Sequence, residues 1–246
     1  MIETRIEAVT ADGAAPALLL RPEGEGPWPM VVLFHDAGGP RAAMTTLAAP
    51  LVAAGFAVLE PDLLWRSRPF APFDWQTVFT DPEERQRLLA LLGTVRAEPV
   101  MAELLAQIAA IPADAHVRTD RFGCYGFCLG GRMSFLAATA LPERVVAAAS
   151  IHGGGLVSPA PDSPHRGADR IQARLYLAVA DQDRGCTPEQ QRDLAQALDA
   201  AGVDYELELY PGALHGFAVE DFPVHDAAAT RRQQERSLAL FEATLR

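Results

Sequence analysis

"RFGCYGFCLGGRMSFLAATA", residues 121–140, runs from an apolar stretch, through a turn dense in glycine, into a helix-forming stretch. A strand that breaks sharply at G-x-C-x-G and continues as a helix lifts the central side chain above the carboxyl edge of an α/β sheet. That side chain is Cys128. Gly126 and Gly130 are expected to flank a turn too tight for a Cβ, and Gly131 to bring the helix close to the sheet. Sulfur at this position has a physical rationale. A thiol with a pKa of about 8.5 is mostly un-ionised at neutral pH, and a helix N-terminus together with a neighbouring imidazole stabilises the thiolate.

Working outward from this stretch, apolar runs and helical patterns alternate. Residues 30–35, 55–63, 121–127, 144–153, 173–181 and 204–212 read as strands. Most are continuous apolar runs, the pattern of strands buried on both faces. Helical periodicity covers 41–55, 82–111 with an interruption near Pro99, 129–140, 187–202 and a final helix over about 226–244. This alternation predicts an α/β fold with a doubly wound, mostly parallel sheet. Two further strands joined by a turn at Asp12-Gly13 predict an antiparallel N-terminal edge. The stretches 61–82 and 157–170 read as irregular loops. Periodic segments resume on both sides of each, so a single domain over 1–246 is expected.

Composition narrows the chemistry. With 246 residues, 49% of them hydrophobic, the chain is long enough for one large core. Arginine supplies every basic side chain, and 21 basic against 32 acidic residues give a formal charge of −11. That balance argues against nucleic acid or an anionic membrane as a partner. No apolar run approaches the roughly 18 residues of a membrane span, and residues 1–13 lack the pattern of a secretory leader, so a cytoplasmic location is expected. Three cysteines do not make a disulfide framework. Without C-x-x-C, H-E-x-x-H or another paired spacing, no metal site and no cofactor are expected.

Open α/β sheets carry their reactive groups at the carboxyl ends of the strands. The polar residues predicted there are His35, Asp36, Cys128, His152, Asp181, Asp183 and His215. A nucleophile, an acid and a histidine in that chain order match the order of triad members in α/β-hydrolases. Cys128, Asp183 and His215 are therefore the candidate triad, with Asp181 the alternative acid because it lies nearer the predicted strand end. The fold would offer the N–H of Leu129, just past the nucleophile, and that of Ala37, after the first core strand, as oxyanion donors. "IHGGG", residues 151–155, imitates an oxyanion-loop signature. It follows the nucleophile instead of preceding it, so His152 reads as a pocket-wall residue available to substrate. Cys124 is expected to be buried and inert, and nothing in the sequence makes Cys186 reactive.

"GFCLGGR" (126–132), "PDLLWR" (61–66), "ERQR" (84–87), "DQD" (181–183) and "LHGF" (214–217) together resemble the dienelactone hydrolase family over nearly the whole chain. By matching position, the family's triad falls on Cys128, Asp183 and His215. The resemblance implies a metal-free hydrolase of small carboxylic esters or lactones working through an acyl-cysteine. A thioesterase or peptidase on the same scaffold, or a non-catalytic binding protein, are the alternatives. Asp36 stands where the family has a glutamate that helps form the thiolate once substrate binds. It is one methylene shorter, and could act as that switch or bond the N–H groups of the Gly38-Gly39 turn. Arg87 corresponds to one of two arginines that hold the substrate carboxylate, with a solvated helix arginine as the plain reading. The second corresponds to Val219, which implies a preference for neutral, less polar substrates. The sequence leaves the oligomeric state open.

Overall fold

A computed structural model describes residues 1–246. Eight strands form one sheet: β1 (Ile2–Thr10), β2 (Gly13–Arg21), β3 (Trp28–Phe34), β4 (Ala57–Pro61), β5 (Val117–Phe127), β6 (Val145–Ile151), β7 (Arg174–Gln182) and β8 (Tyr205–Leu214). Their spatial order is β1-β2-β4-β3-β5-β6-β7-β8. β1 and β2 pair antiparallel, β2 joins β4 antiparallel, and every pairing from β4 to β8 is parallel. The doubly wound sheet and its antiparallel edge agree with the sequence pattern.

Period-2 geometry assigns each strand residue to a layer. On β3, Met30, Val32 and Phe34 face one apolar core while Val31 and Leu33 face the other. The first core is closed by α3 (Ala97–Ala109), α4 (Leu129–Ala140) and α5 (Pro188–Ala201), through Leu104, Met133 and Leu198 among others. The second is closed by α1 (Ala42–Ala53) and α6 (Ala227–Leu245), through Met44, Leu47 and Phe241. Full burial of each such side chain contributes roughly 1.5–3 kcal/mol, so sandwiching the sheet between two helix layers is the main source of stability.

Helix boundaries follow local chemistry. At α5, Thr187 and Gln190 form a capping box, Pro188 opens the first turn, and Gly202 closes the helix at φ 68°. Asp81 caps α2 (Pro82–Leu92) by accepting from the N–H groups of Glu83 and Glu84. The expected interruption near Pro99 falls earlier. α2 ends at Leu92, α3 begins at Ala97, and Pro99 lies within its first turn, where a missing N–H costs nothing. The stretch 157–170 is also less irregular than expected, because Pro164–Arg170 forms a short 3₁₀ helix. No helix is long and apolar enough to cross a membrane.

Candidate active site

β5 runs directly into α4 at Cys128, whose backbone takes φ 54° and ψ −112°. Only missing side chains allow this bend. A Cβ on Gly126 would lie 2.0 Å from the carbonyl oxygen of Gly130, and one on Gly130 would lie 2.0 Å from that of Phe34. The turn leaves Cys128 at the N-terminus of α4 and only partly exposed.

Two loops bring their side chains to this thiol. His215 follows β8 and places Nε2 2.9 Å from Cys128 Sγ. Asp183 follows β7, and its Oδ2 lies 2.7 Å from His215 Nδ1. The other Asp183 oxygen accepts from the N–H of Gly185 at 2.6 Å, and the residue is buried. Asp181 faces elsewhere, accepting from the N–H of Gly212 at 3.1 Å. Burial alone would lower the pKa of His215, but the adjacent Cys128 sulfur and the Asp183 carboxylate outweigh it and hold the imidazole well above its ordinary value. Sulfur, imidazole and carboxylate thus form a continuous chain in which a proton at Nε2 is stabilised from both sides.

Two backbone donors stand near the elbow without an acceptor. Neither Ala37 nor Leu129 has its N–H taken by a protein group. Ala37 lies in the loop after β3, and Leu129 is the first residue of α4, where an N–H has no partner within its own helix.

Several residues singled out from the sequence have other surroundings. Asp36 is fully buried and grips Arg41, at 2.6 Å through Nη1 and 2.9 Å through Nη2, while accepting from Gly38 N–H at 2.8 Å. Its carboxylate is therefore engaged by an ion pair and a turn, with no bond to the thiol. Arg87 donates to both oxygens of Glu84 and to the carbonyls of Ala71 and Pro72, and lies over the Phe73 ring at 3.8 Å. Its guanidinium fastens the 61–82 loop. Val219 is wholly buried in the second core and presents no surface to a ligand. His152 is likewise buried, so it forms no accessible pocket wall.

Cys124 sits in the sheet, where burial pushes its thiol far up. Cys186 is pushed up to about 11, by burial first and then by the charge of Asp183. All three cysteines are free thiols. No group of three or more acidic, histidine or cysteine side chains is arranged to hold a metal ion.

Arg41 is the residue the sequence did not flag. Besides Asp36 it binds Asp221 twice, at 2.6 and 2.8 Å, and it lies 5.8 Å from the Trp75 ring and 5.6 Å from the Phe222 ring. One side chain ties the loop after β3, the aromatic 61–82 loop and the loop carrying His215. Burial would lower its pKa, but the bonds to Asp221 and Asp36 prevail and raise it. Its partner lies 180 positions away, a distance at which no local pattern signals the pairing.

A doubly wound sheet with this elbow, and with an acid and a histidine after its last two strands, is the architecture of an α/β-hydrolase. A solved structure from Klebsiella pneumoniae, titled "Putative Dienelactone Hydrolase", superposes with a TM-score of 0.82 at 24% identity over 98% of both chains. The chain belongs to the dienelactone hydrolase family, whose family model matches residues 15–245. It is accordingly an enzyme of the hydrolase class. A Synechocystis relative named "Putative carboxymethylenebutenolidase" is 26% identical over 231 residues, 93% of this chain and 91% of its own length. An Escherichia coli relative of the same name is 26% identical over 234 residues, covering 92% and 82%.

Proposed function

We propose that this protein hydrolyses small carboxylic esters or lactones through an acyl-cysteine formed on Cys128. The observation that carries the reading is the continuous array Cys128 Sγ, His215 Nε2, His215 Nδ1, Asp183 Oδ2, joined at 2.9 and 2.7 Å. In the first half-reaction the thiol proton rests on His215 Nε2, the sulfur attacks the carbonyl carbon, and negative charge passes to the carbonyl oxygen. The free N–H groups of Leu129 and Ala37 receive that charge. Collapse breaks the ester C–O bond, and the departing oxygen takes the proton from His215. In the second half, His215 removes a proton from water as it attacks the thioester. Collapse of this second adduct breaks the C–S bond, the proton held by His215 returns to the sulfur of Cys128, and the carboxylic product leaves. Asp183 holds the imidazole in the tautomer that points Nε2 at sulfur.

Two features support neutral, less polar substrates over anionic ones. Arg87 is already engaged by Glu84 and two carbonyls, and Val219 stands in the core where the family's second arginine is expected. The names of the Synechocystis and Escherichia coli relatives, which denote a lactone hydrolase, support a lactone or ester ring as the reacting group.

The test pairs kinetics with trapping. Cys128→Ala and His215→Ala should each lose hydrolysis of aryl esters and lactones by on the order of 10³-fold or more, since the members of such an array act as a unit. Mass spectrometry after rapid quenching should find the acyl group on Cys128. Hydrolysis persisting at the parent rate in Cys128→Ala would overturn the reading.

A further inference from the structure

His152, the residue after β6, is buried to 1% exposure and touches both halves of the nucleophile and base pair. Its Nδ1 accepts the backbone N–H of Cys128 at 3.2 Å, a donor also shared with the carbonyl of Ile151 at 3.0 Å. Its ring meets that of His215 edge to face, with centroids 5.2 Å apart and planes at 61°. Phe217 lies on another side at 5.3 Å. The backbone N–H of His152 is held by the carbonyl of Ala178 on β7. Two features run against ordinary packing. The residue has a left-handed φ of 38°, and its buried Nε2 has no hydrogen-bond partner.

We infer that His152 is a positioning residue, a neutral imidazole that joins the backbone of Cys128 to the ring of His215 and so sets the alignment of sulfur and base. This rests on the reading of Cys128 as nucleophile. The hydrogen bond fixes the state of the ring. An Nδ1 that accepts has its proton on Nε2, whereas a doubly protonated ring would turn a donor toward the Cys128 N–H. Burial, and then the charge on His215, hold His152 well below its usual value, so the positive charge stays on the ring that faces sulfur. The contact also fits the geometry of the elbow. Cys128 has a positive φ of 54°, and a second bond to its N–H, from outside the β-ladder, holds that turn in one orientation. An unpaired buried polar atom and a left-handed histidine are costs that structures keep chiefly where the arrangement serves a site.

Two variants separate alignment from packing. His152→Phe keeps an aromatic edge against His215 but removes the acceptor. His152→Asn keeps an acceptor near the position of Nδ1, and asparagine tolerates a positive φ. The readouts are the rate of iodoacetamide alkylation at Cys128 at pH 6, kcat and KM on an aryl ester, and the melting temperature. In His152→Phe, alkylation and kcat should fall by about tenfold or more with KM nearly unchanged, the signature of a displaced reacting group. His152→Asn should recover most of the alkylation rate. Parent-like alkylation and kcat in His152→Phe, with only the melting temperature lowered, overturns the inference, as does an asparagine variant no faster in alkylation than the phenylalanine one. If His152→Phe does not fold, the asparagine variant decides by the same alkylation rate, a loss of about tenfold counting against the inference. Failure of the underlying reading looks different. Parent Cys128 would then be alkylated no faster than free glutathione, whatever residue stands at 152.

Discussion

Glu60 offers a stability test whose sign and size follow from its surroundings. It lies on β4 opposite Leu18 of β2, is 2% exposed, and its buried Oε1 has no hydrogen-bond partner. Burial raises its pKa from 4.5 to about 7; His35 and Arg41 oppose the rise, and Asp62 and Asp36 add to it. The folded protein therefore retains a proton on Glu60 across the window from 4.5 to about 7, where the unfolded chain has released it. The associated stability is fully present below pH 4.5 and is lost as pH rises through about 7. At 1.36 kcal/mol per pH unit the full effect is about 3 kcal/mol. Glu60→Gln is neutral at every pH and removes this dependence. Urea denaturation from pH 5 to 8.5 should show the variant close to the parent at the acid end. At the alkaline end it should be more stable by about 3 kcal/mol, with m unchanged. Titrating groups that do not interact with Glu60 are common to both proteins and cancel in the difference. Parallel stability curves for parent and variant would refute the reasoning and mean that Glu60 is ionised and solvated within the fold.

Two further predictions concern the groups around the nucleophile. Asp183→Asn should cut kcat for ester hydrolysis by on the order of 10⁴-fold by favouring the wrong imidazole tautomer, while Asp181→Asn, which touches only the N–H of Gly212, should stay within a few-fold of the parent. The reverse order of effects would move the acid to Asp181. Arg41→Met leaves the fully buried Asp36 without its cation, and should destabilise the protein by about 3 kcal/mol in urea denaturation. The double variant Arg41→Met with Asp36→Asn should recover much of that loss, and a double variant no more stable than Arg41→Met would rule out the ion pair as its source.

The parts of this protein legible in its sequence are those governed by neighbours along the chain. Continuous apolar runs separated by helical periodicity specify β3 to β7 and their helices, because a strand covered on both faces has no polar alternation to keep; the edge strand β8, YELELYPGAL, alternates instead. "GFCLGG" specifies the elbow, because its glycines are the residues that a 2.0 Å approach of backbone to Cβ demands. The elbow, the strand ends and chain order nominated Cys128, His215 and an acid at 181 or 183, and the family resemblance placed that acid at Asp183. The choice between Asp181 and Asp183 was not local. β7 extends to Gln182, and the side chain of Asp181 turns to Gly212 on β8 while that of Asp183 turns to His215. Residues whose surroundings come from distant segments were read less well. Arg87 and Val219 were read only as positions that match the family's two arginines, and nothing in their neighbouring residues signals the carbonyls of Ala71 and Pro72 on the Arg87 guanidinium or the core around Val219. Arg41 and Glu60 carry no sequence signal, and His152 was legible only as a polar residue at a strand end, since an ion pair to Asp221, a buried carboxyl or an accepted N–H of Cys128 exists only once separate segments are packed together. Periodicity reports which face of an element is apolar. It does not report what stands opposite that face, and burial, pairing and charge at this site are set by what stands opposite.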